Sequence, residues 1–299
     1  MARISLKDRI AQGVFVLDGA MGTELFARGI EAGTCNDYLN IESPDIVLDI
    51  HRSYLQAGSD AVLTNTFGAN KYTLARHGLA DKVEKINTAA ARIARRAAGD
   101  EKYVLGDIGP SGDFLEPLGN LKLQELKEAF TEQAKALAAG GVDGLIIQTM
   151  TALDEATVAV EAAKSVVGDD LPVFVLLAYD RAGEDFRTMM GVDVASAVSK
   201  ISEFGVDAIG FNCGSLTLDQ YVKLAQIYAS QVKGKTALLA EPNAGRPELI
   251  EDKAVYKVTP DQFAQAAEQI HSAGFNIIGG CCGTTPEHIK AISERLKTE

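Results

Sequence analysis

The segment "FGVDAIGFNC" (204–213) belongs to a weak internal repeat that predicts the fold. It aligns without gaps with three others, "AGSDAVLTNT" (57–66), "GGVDGLIIQT" (140–149) and "AGFNIIGGCC" (273–282). Each copy has a glycine that would end a helix, then an acidic or amide residue, an apolar run and a polar or sulfur pair. Helix–strand joints that recur in this way indicate alternating α/β structure around a parallel sheet.

Eight apolar runs have the length of buried strands, and segments of helical periodicity separate them. They are residues 14–18, 61–65, 103–107, 144–148, 173–179, 208–212, 236–241 and 276–280. The four repeat copies then contain strands 2, 4, 6 and 8, and even-numbered strands share side-chain layers in a (β/α)₈ barrel. We therefore predict a single-domain (β/α)₈ TIM barrel over residues 1–299, with a doubly wound open sheet as the alternative.

The clearest helix signal lies in residues 43–58, "SPDIVLDIHRSYLQAG". Ser43 is a natural N-cap, Pro44 suits the first helical position, and Gly58 would stop the helix. The segment 27–42 before it has no clear periodicity, and it follows the first strand. A long loop at that place would lie on the catalytic face of a barrel.

Composition and charge exclude several classes of protein. The formal net charge is −12, whereas a nucleic-acid binder needs a basic footprint. An uninterrupted apolar run of about 18 residues, as a membrane span requires, is absent from the sequence. The start has no signal-peptide layout, so a cytoplasmic protein is expected. Four cysteines in such a chain suggest metal binding or catalysis rather than disulfides.

Three of the cysteines fall where predicted strands end. Cys213 and Cys282 occupy the same column of the repeat, and Cys281 precedes Cys282. Adjacent residues of a regular strand face opposite ways, so the tandem pair can contact one ion only if the strand breaks there. Glycines that could permit the break lie on both sides: Gly279, Gly280 and Gly283. Three thiolates would leave one position of a tetrahedral zinc open, as in catalytic sites.

The alternative is that all three cysteines are small buried residues, as cysteine often is. Cys35, in the long first loop, is expected to be a free cysteine only. The four histidines lie in predicted helices or near their ends, and we expect them to be solvated or capping residues rather than ligands: His51, His77, His271 and His288.

A zinc ion with three thiolate ligands has a net charge near −1, so it activates water less well than a zinc held by neutral histidines. It would still deprotonate a substrate thiol near neutral pH, and the bound thiolate remains a nucleophile. This pattern therefore favours alkyl transfer to sulfur over hydrolysis.

Several motifs together resemble the homocysteine S-methyltransferase family, most closely the homocysteine-binding zinc barrels of its cobalamin-dependent members. They are "LDGAMGTEL" (17–25), "TNTFGAN" (64–70), "GDIGP" (106–110), "GFNC" (210–213), "EPNAG" (241–245) and "GGCCGTTPEH" (279–288). The resemblance extends from about residue 10 to residue 297. It implies a (β/α)₈ barrel, in agreement with the strand count.

The resemblance also implies roles for individual residues. Cys213, Cys281 and Cys282 would be the zinc ligands and the catalytic residues. The acceptor would be held by the first strand end and turn and by other strand ends, although an Asp–Gly pair after a strand is often only a turn. The candidate acceptor-binding residues are Asp18, Gly19, Ala20, Met21, Gly22, Thr23, Asn65, Gln148 and Asn243.

Gln148 departs from the family pattern. The fourth strand of the family usually ends in "ET", and its glutamate pairs with the ammonium group of homocysteine. Here the sequence is "QT", and a glutamine cannot form that ion pair. Loss of a charge-assisted bond costs about 1.5–3 kcal/mol. With Asp18 as the remaining anion, we expect weak homocysteine binding or an acceptor thiol without an ammonium group.

The methyl donor is expected to come from elsewhere. The sequence has no Asp-x-His-x-x-Gly signature of a corrinoid-binding module, and the near miss "DIHRSY" (49–54) falls in a predicted helix. The favoured function is methyl transfer to homocysteine to give methionine, with a methyl-corrinoid or other donor supplied by a separate protein or small molecule. The alternatives are the same chemistry on another thiol, or a non-catalytic zinc barrel that binds a corrinoid protein. A phosphate-handling barrel lyase would need a glycine-rich phosphate loop after strands 7 and 8 and a lysine or paired carboxylates in the site; the sequence has glycines there but no strand-end lysine.

Overall fold

The computed structural model describes residues 3–250 and 253–297. Eight parallel strands form a nearly closed barrel, hydrogen-bonded in the order β1-β8-β7-β6-β5-β4-β3-β2. The strands are β1 (Phe15–Val16), β2 (Ala61–Leu63), β3 (Tyr103–Ile108), β4 (Gly144–Met150), β5 (Val173–Leu177), β6 (Ala208–Asn212), β7 (Ala237–Glu241) and β8 (Ile277–Ile278). Each lies within or overlaps one of the eight predicted runs. The barrel prediction is therefore confirmed, and the open sheet is excluded.

One long helix follows each strand on the outside of the barrel. These helices are α1 (Pro44–Gln56), α2 (Val83–Ala98), α3 (Leu123–Ala139), α4 (Leu153–Val167), α5 (Val194–Ser202), α6 (Leu218–Gln231), α7 (Pro260–Ser272) and α8 (Pro286–Leu296). Shorter helical segments are Leu6–Ile10, Met21–Ala27, Asn36–Tyr38, Leu39–Glu42, Lys71–Ala75 and Ala80–Lys82. Two antiparallel hairpins, Asp180–Ala182 with Asp185–Arg187 and Glu248–Ile250 with Lys253–Val255, lie in the loops after β5 and β7. No helix within the described ranges combines the length and apolar character needed to span a membrane.

The aspartates of the repeat join strands 2, 4 and 6 to the strand before each of them. The Asp60 carboxylate accepts the Val16 N–H at 2.9 Å, and the Asp60 N–H donates to the Val16 carbonyl at 2.6 Å. This pair of bonds connects the strand ends at the β1–β2 seam, where the ladder of the sheet is interrupted. The same reciprocal bonds join Asp143 to Val104 and Asp207 to Val173.

The amino-terminal helix Leu6–Ile10 closes the bottom of the barrel. Leu6 and Ile10 are buried in the same cluster as the inward-facing side chains of the strands. Burial of two such side chains contributes about 1.5–3 kcal/mol each. The barrel interior is therefore filled from below, and its open end is the face at the carboxyl ends of the strands.

Helix α1 has the predicted position but a different amino-terminal cap. Ser43 precedes it, yet the Ser43 side chain makes no capping bond, so Pro44 is the one predicted start signal that acts as expected. Gly58, with φ of 103°, follows the last turn. The buried face includes Ile50, Tyr54 and also His51.

Candidate metal centre and acceptor cavity

Three sulfur atoms meet at the carboxyl end of the barrel. The Sγ atoms of Cys213, Cys281 and Cys282 all lie within 4.8 Å of one another, and no other trio of His, Cys, Asp or Glu among the described residues is grouped this closely. The Cys281 and Cys282 sulfurs are 3.9 Å apart. The prediction that the two cysteine motifs converge is therefore supported by the geometry.

The backbone turns sharply as β6 ends, and this turn brings Cys213 inward. Strand β6 ends at Asn212, and Cys213 has a φ of 54°. Thr149, in the same column of the repeat, has a φ of 60°. A non-glycine residue in this region costs about 1–3 kcal/mol and persists only where its surroundings hold it. Here the Tyr221 hydroxyl donates to the Cys213 carbonyl at 2.6 Å.

The glycines around the tandem cysteines serve mainly to leave space. A Cβ on Gly279 would lie 2.8 Å from the Leu17 Cβ, and one on Gly280 would lie 2.6 Å from Thr284. Only Gly283 has a positive φ, at 79°, and a Cβ there would lie 2.1 Å from the ring of Tyr256. The expected chain break is present, because β8 ends at Ile278, but of the three glycines Gly283 alone adopts the left-handed conformation.

The three thiols share negative charge unequally. Hydrogen bonds from Cys281 and Cys282 lower the pKa of Cys213 to about 3. The Cys213 thiolate in turn is the main cause that raises the pKa of Cys282 to about 11. In the metal-free cluster one sulfur therefore holds the charge and its neighbours hold protons. A bound cation would favour the thiolate form of all three.

A cavity of about 550 Å³ opens beside the sulfurs. Most of the predicted acceptor-binding residues line it: Asp18, Gly19, Ala20, Met21, Gly22, Thr23, Asn65 and Gln148. Asn243 is not among its lining residues. The Asn243 amide donates to the Gly214 carbonyl at 2.7 Å and so supports the loop that carries Cys213. Its predicted role near the acceptor stays a prediction.

The turn after β1 is fixed on both sides. The Asp18 carboxylate accepts the Leu63 N–H at 3.0 Å and so bridges the upper part of the β1–β2 seam. The Ala20 N–H donates to the Thr284 hydroxyl at 3.1 Å, and the Tyr54 hydroxyl donates to the Ala20 carbonyl at 2.9 Å. The Asp–Gly pair is thus part of a packed wall of the cavity, and more than a connecting turn.

Four carboxyl groups line the cavity, and none has a Lys or Arg partner within salt-bridge distance in the described ranges. They are Asp18, Asp37, Asp107 and Glu241. Burial raises the pKa of each, to about 6 for Asp37 and about 8 for Asp107. Asp18 is therefore one of four carboxyl groups at the cavity, and its predicted role towards an ammonium group stays a prediction.

Gln148 is held by other side chains at the cavity wall. Its Oε1 accepts the Asn212 amide at 2.8 Å. The same amide donates to the Thr149 hydroxyl at 2.7 Å, and the Thr149 N–H donates to the side-chain Oδ1 of Asn212 at 2.8 Å. The polar pairs that end strands 4 and 6 of the repeat thus form one network.

The other residues singled out from the sequence have mixed outcomes. The first loop lines the cavity through residues 34–37, including the half-buried Cys35, as its position after β1 predicts. His288 belongs to the capping box of α8, as expected. His51 is fully buried, with no hydrogen-bond partner for either ring nitrogen in the described structure, so the solvated or capping role is wrong.

Comparison with known proteins agrees with this geometry. The model of the homocysteine S-methyltransferase family matches residues 15–296. Methionine synthases from Mycobacterium tuberculosis and Mycobacterium leprae are each 35% identical over 308 aligned residues that cover 96% of the chain. The chain spans about a quarter (25%) of the length of these two relatives.

Solved structures show the same fold. The metallated form of the homocysteine methyltransferase MmuM from Escherichia coli has a TM-score of 0.77 at 23% identity, with 95% of this chain and 96% of that chain covered. A methyltransferase from Methanosarcina mazei has a TM-score of 0.60 at 12% identity, with 96% and 94% covered. Because the family model matches residues 15–296 of the 299-residue chain, this chain belongs to the homocysteine S-methyltransferase family.

Proposed function

We propose that this chain is a zinc-dependent S-methyltransferase that transfers a methyl group to the thiol of homocysteine and yields methionine. The observation that carries the proposal is the convergence of three cysteine sulfurs at the edge of a cavity lined by unpaired carboxyl groups. Family membership supports the reaction class, and the metallated form of the Escherichia coli protein supports metal binding by this fold.

The donor set fits zinc. Two sulfurs bonded at about 2.3 Å to one tetrahedral ion are about 3.8 Å apart. The Cys281 and Cys282 sulfurs are separated by 3.9 Å, without a disulfide. When bound, a zinc ion held by these residues and Cys213 would supply one open position where a substrate thiol loses its proton near neutral pH.

The surrounding side chains hold the sulfurs in place. The Asn212 amide lies 3.8 Å from the Cys281 sulfur and can donate to it. The Tyr221 hydroxyl and the Asn243 amide fix the carbonyl groups of Cys213 and Gly214. A ligand set positioned from both sides keeps the reacting sulfur within reach of the donor, which is how orientation contributes to rate.

The acceptor is best matched by a thiol that carries an amine. The described lining of the cavity has four carboxyl groups and no lysine or arginine, so it offers no side-chain cation to a thiol whose other end is only anionic, such as 3-mercaptopropionate. Homocysteine has an ammonium group that these carboxyl groups can bind. It therefore fits the cavity better than a thiol without an amine, which the replacement of the family glutamate by Gln148 suggested as the alternative acceptor.

The methyl donor is proposed to be a methyl-corrinoid on another polypeptide or a small molecule. The near match to a corrinoid signature places its histidine at His51, which is fully buried in α1 and cannot reach a cobalt ion.

Metal content and methyl transfer test the proposal together. We expect about one zinc per chain, strong loss of zinc in single Cys→Ser variants of the three cysteines, and zinc-linked proton release on addition of homocysteine. Cys35→Ser is the matched control for metal binding, and it should retain zinc. Full zinc retention in all three variants, or methyl transfer that survives their combined substitution, would refute the assignment.

A further inference from the structure

The ends of strands β3 and β7 carry two buried carboxyl groups whose individual contacts with the acceptor are not yet assigned. Asp107 is 5% exposed and Glu241 is 2% exposed, and both line the cavity that contains the cysteine sulfurs. One oxygen of Asp107, Oδ1, is buried without any hydrogen-bond partner in the described structure. An unpartnered buried carboxylate oxygen is costly, so its retention at a cavity wall points to a ligand that pairs with it.

Glu241 is similarly left without a partner. Its carboxyl group accepts no hydrogen bond and forms no salt bridge within the described residues, and burial and then the nearby Asp18 and Asp107 raise its pKa. Burial also raises the pKa of Asp18 and Asp107, so the ionised forms of all three are disfavoured when no cation is near. A cationic group placed among the three would favour their ionised forms. Among the described residues no lysine or arginine side chain lines the cavity, so a ligand is the source of the cation in this inference.

The Gln148 side chain is held by another polar side chain at the cavity wall. Its Oε1 accepts the Asn212 amide at 2.8 Å, which leaves its N–H groups as donors. Gln148 and Asp107 both line the cavity, and burial raises the pKa of Asp107 while the nearby Gln148 side chain opposes that rise. Since an amide N–H repels an ammonium group and attracts a carboxylate, Gln148 is suited to orient Asp107.

We propose that the ammonium group of the acceptor is bound by Asp107 and Glu241 together with Asp18, and that Gln148 positions Asp107 without contacting the acceptor. The carboxylate that would pair with the amine is thus moved from the end of β4 to the ends of β3 and β7. This inference rests on the proposed function for its substrate and names the residues that select an amine-bearing thiol.

Paired ligands that differ only in the amine test the assignment. Homocysteine and 4-mercaptobutyrate differ by the ammonium group, and both can use the metal centre. Titration calorimetry of the zinc-loaded protein should show tenfold or greater weakening of homocysteine in Asp107→Asn and in Glu241→Gln. Binding of 4-mercaptobutyrate should stay the same or tighten. Asp113→Asn, an exposed carboxyl that pairs with Arg76, is the matched charge control and should change neither.

A double variant tests the positioning role. Gln148→Glu alone should not tighten homocysteine, because the new carboxyl faces Asp107. In the double variant Asp107→Asn/Gln148→Glu the carboxylate and the amide exchange places, and homocysteine affinity should return to within about threefold of wild type. A tenfold gain from Gln148→Glu alone, with no rescue in the double variant, would show that Gln148 itself faces the amine and would overturn the proposal.

A zinc-free comparison separates this inference from the proposed reaction. L-norleucine and hexanoate also differ by the amine, and neither has a thiol. Zinc-depleted protein should bind norleucine more tightly than hexanoate, and Asp107→Asn should abolish the difference while unchanged circular dichroism reports an intact fold. Discrimination that persists in Asp107→Asn and Glu241→Gln, or equal losses for both ligands, would overturn the amine site whatever the fate of the methyl-transfer assignment.

Discussion

The buried Asp107 should reduce the stability of the fold, and Asp107→Asn should therefore stabilise the protein near neutral pH. Burial raises the pKa of this carboxyl from 3.8 to about 8. The folded protein then holds a proton between those values that the unfolded chain has released. Stability is lost as the pH rises through that window, and the loss is complete above it.

The expected magnitude follows from the width of that window. At pH 7 the difference of 7.0 − 3.8 is 3.2 pH units, which at about 1.4 kcal/mol per unit gives an upper limit of about 4 kcal/mol. The asparagine amide remains buried with incomplete hydrogen bonding, at a cost of about 1–3 kcal/mol. We therefore expect a net gain of about 2 kcal/mol at pH 7.

Urea denaturation at pH 5, 7 and 9, with a chelator present for both proteins, measures the gain. The advantage of Asp107→Asn should be small at pH 5, grow to pH 8 and then level off. Asp113→Asn, on an exposed partner of Arg76, should stay within about 0.5 kcal/mol of wild type at every pH. A pH-independent difference, or a destabilised variant at pH 9, would refute the reasoning.

Three further expectations concern the same region and its supports. Gly283→Ala should lower the melting temperature far more than Gly234→Ala, because both have positive φ but only the first Cβ would strike Tyr256; equal losses would contradict the steric argument. The pKa of buried His51 is lowered to about 4, so the wild type loses stability as the pH falls from 6.5 to 4. His51→Leu should remove this loss and the exposed His77→Gln should not, and parallel pH profiles would count against it. Mild peroxide should release zinc from the three sulfurs, and reductant with added zinc should restore it; metal retained throughout would argue against an accessible thiolate site.

The barrel could be predicted from the repeat because residues that make the same structural contact recur at every second strand. The aspartate at the start of strands 2, 4 and 6 bonds the preceding strand, and the glycine before it ends a helix. Both are local requirements, so they leave a pattern in the sequence. The polar column at the strand ends was informative for the same reason, and it placed Cys213 and the tandem cysteines at one level.

The remainder of the site depends on contacts that no local pattern records. The path of the loop after β7 decides whether the Asn243 side chain reaches the cavity or the Gly214 carbonyl, to which its amide donates. Asp37 enters the cavity because the first loop folds over it, and its carboxylate accepts the Gly68 N–H at 2.9 Å. Asp107 and Glu241 stood at predicted strand ends, which was the available signal, but their lack of partners became visible only in three dimensions.

Acidic residues at the two ends of the barrel differ in whether they have cationic partners. At the amino-terminal end each repeat aspartate has cationic partners, as Asp207 has Lys7 at 3.2 Å and Asp60 has Lys297 at 2.8 Å. At the carboxyl end Asp107 and Glu241 are more deeply buried, and within the described part of the chain they have no cationic partner. An acid that serves stability is neutralised by the chain itself, whereas these two are left for a cation that arrives from solution. The unfavourable electrostatics are therefore confined to the face with the cysteine sulfurs, where a bound substrate can offset them.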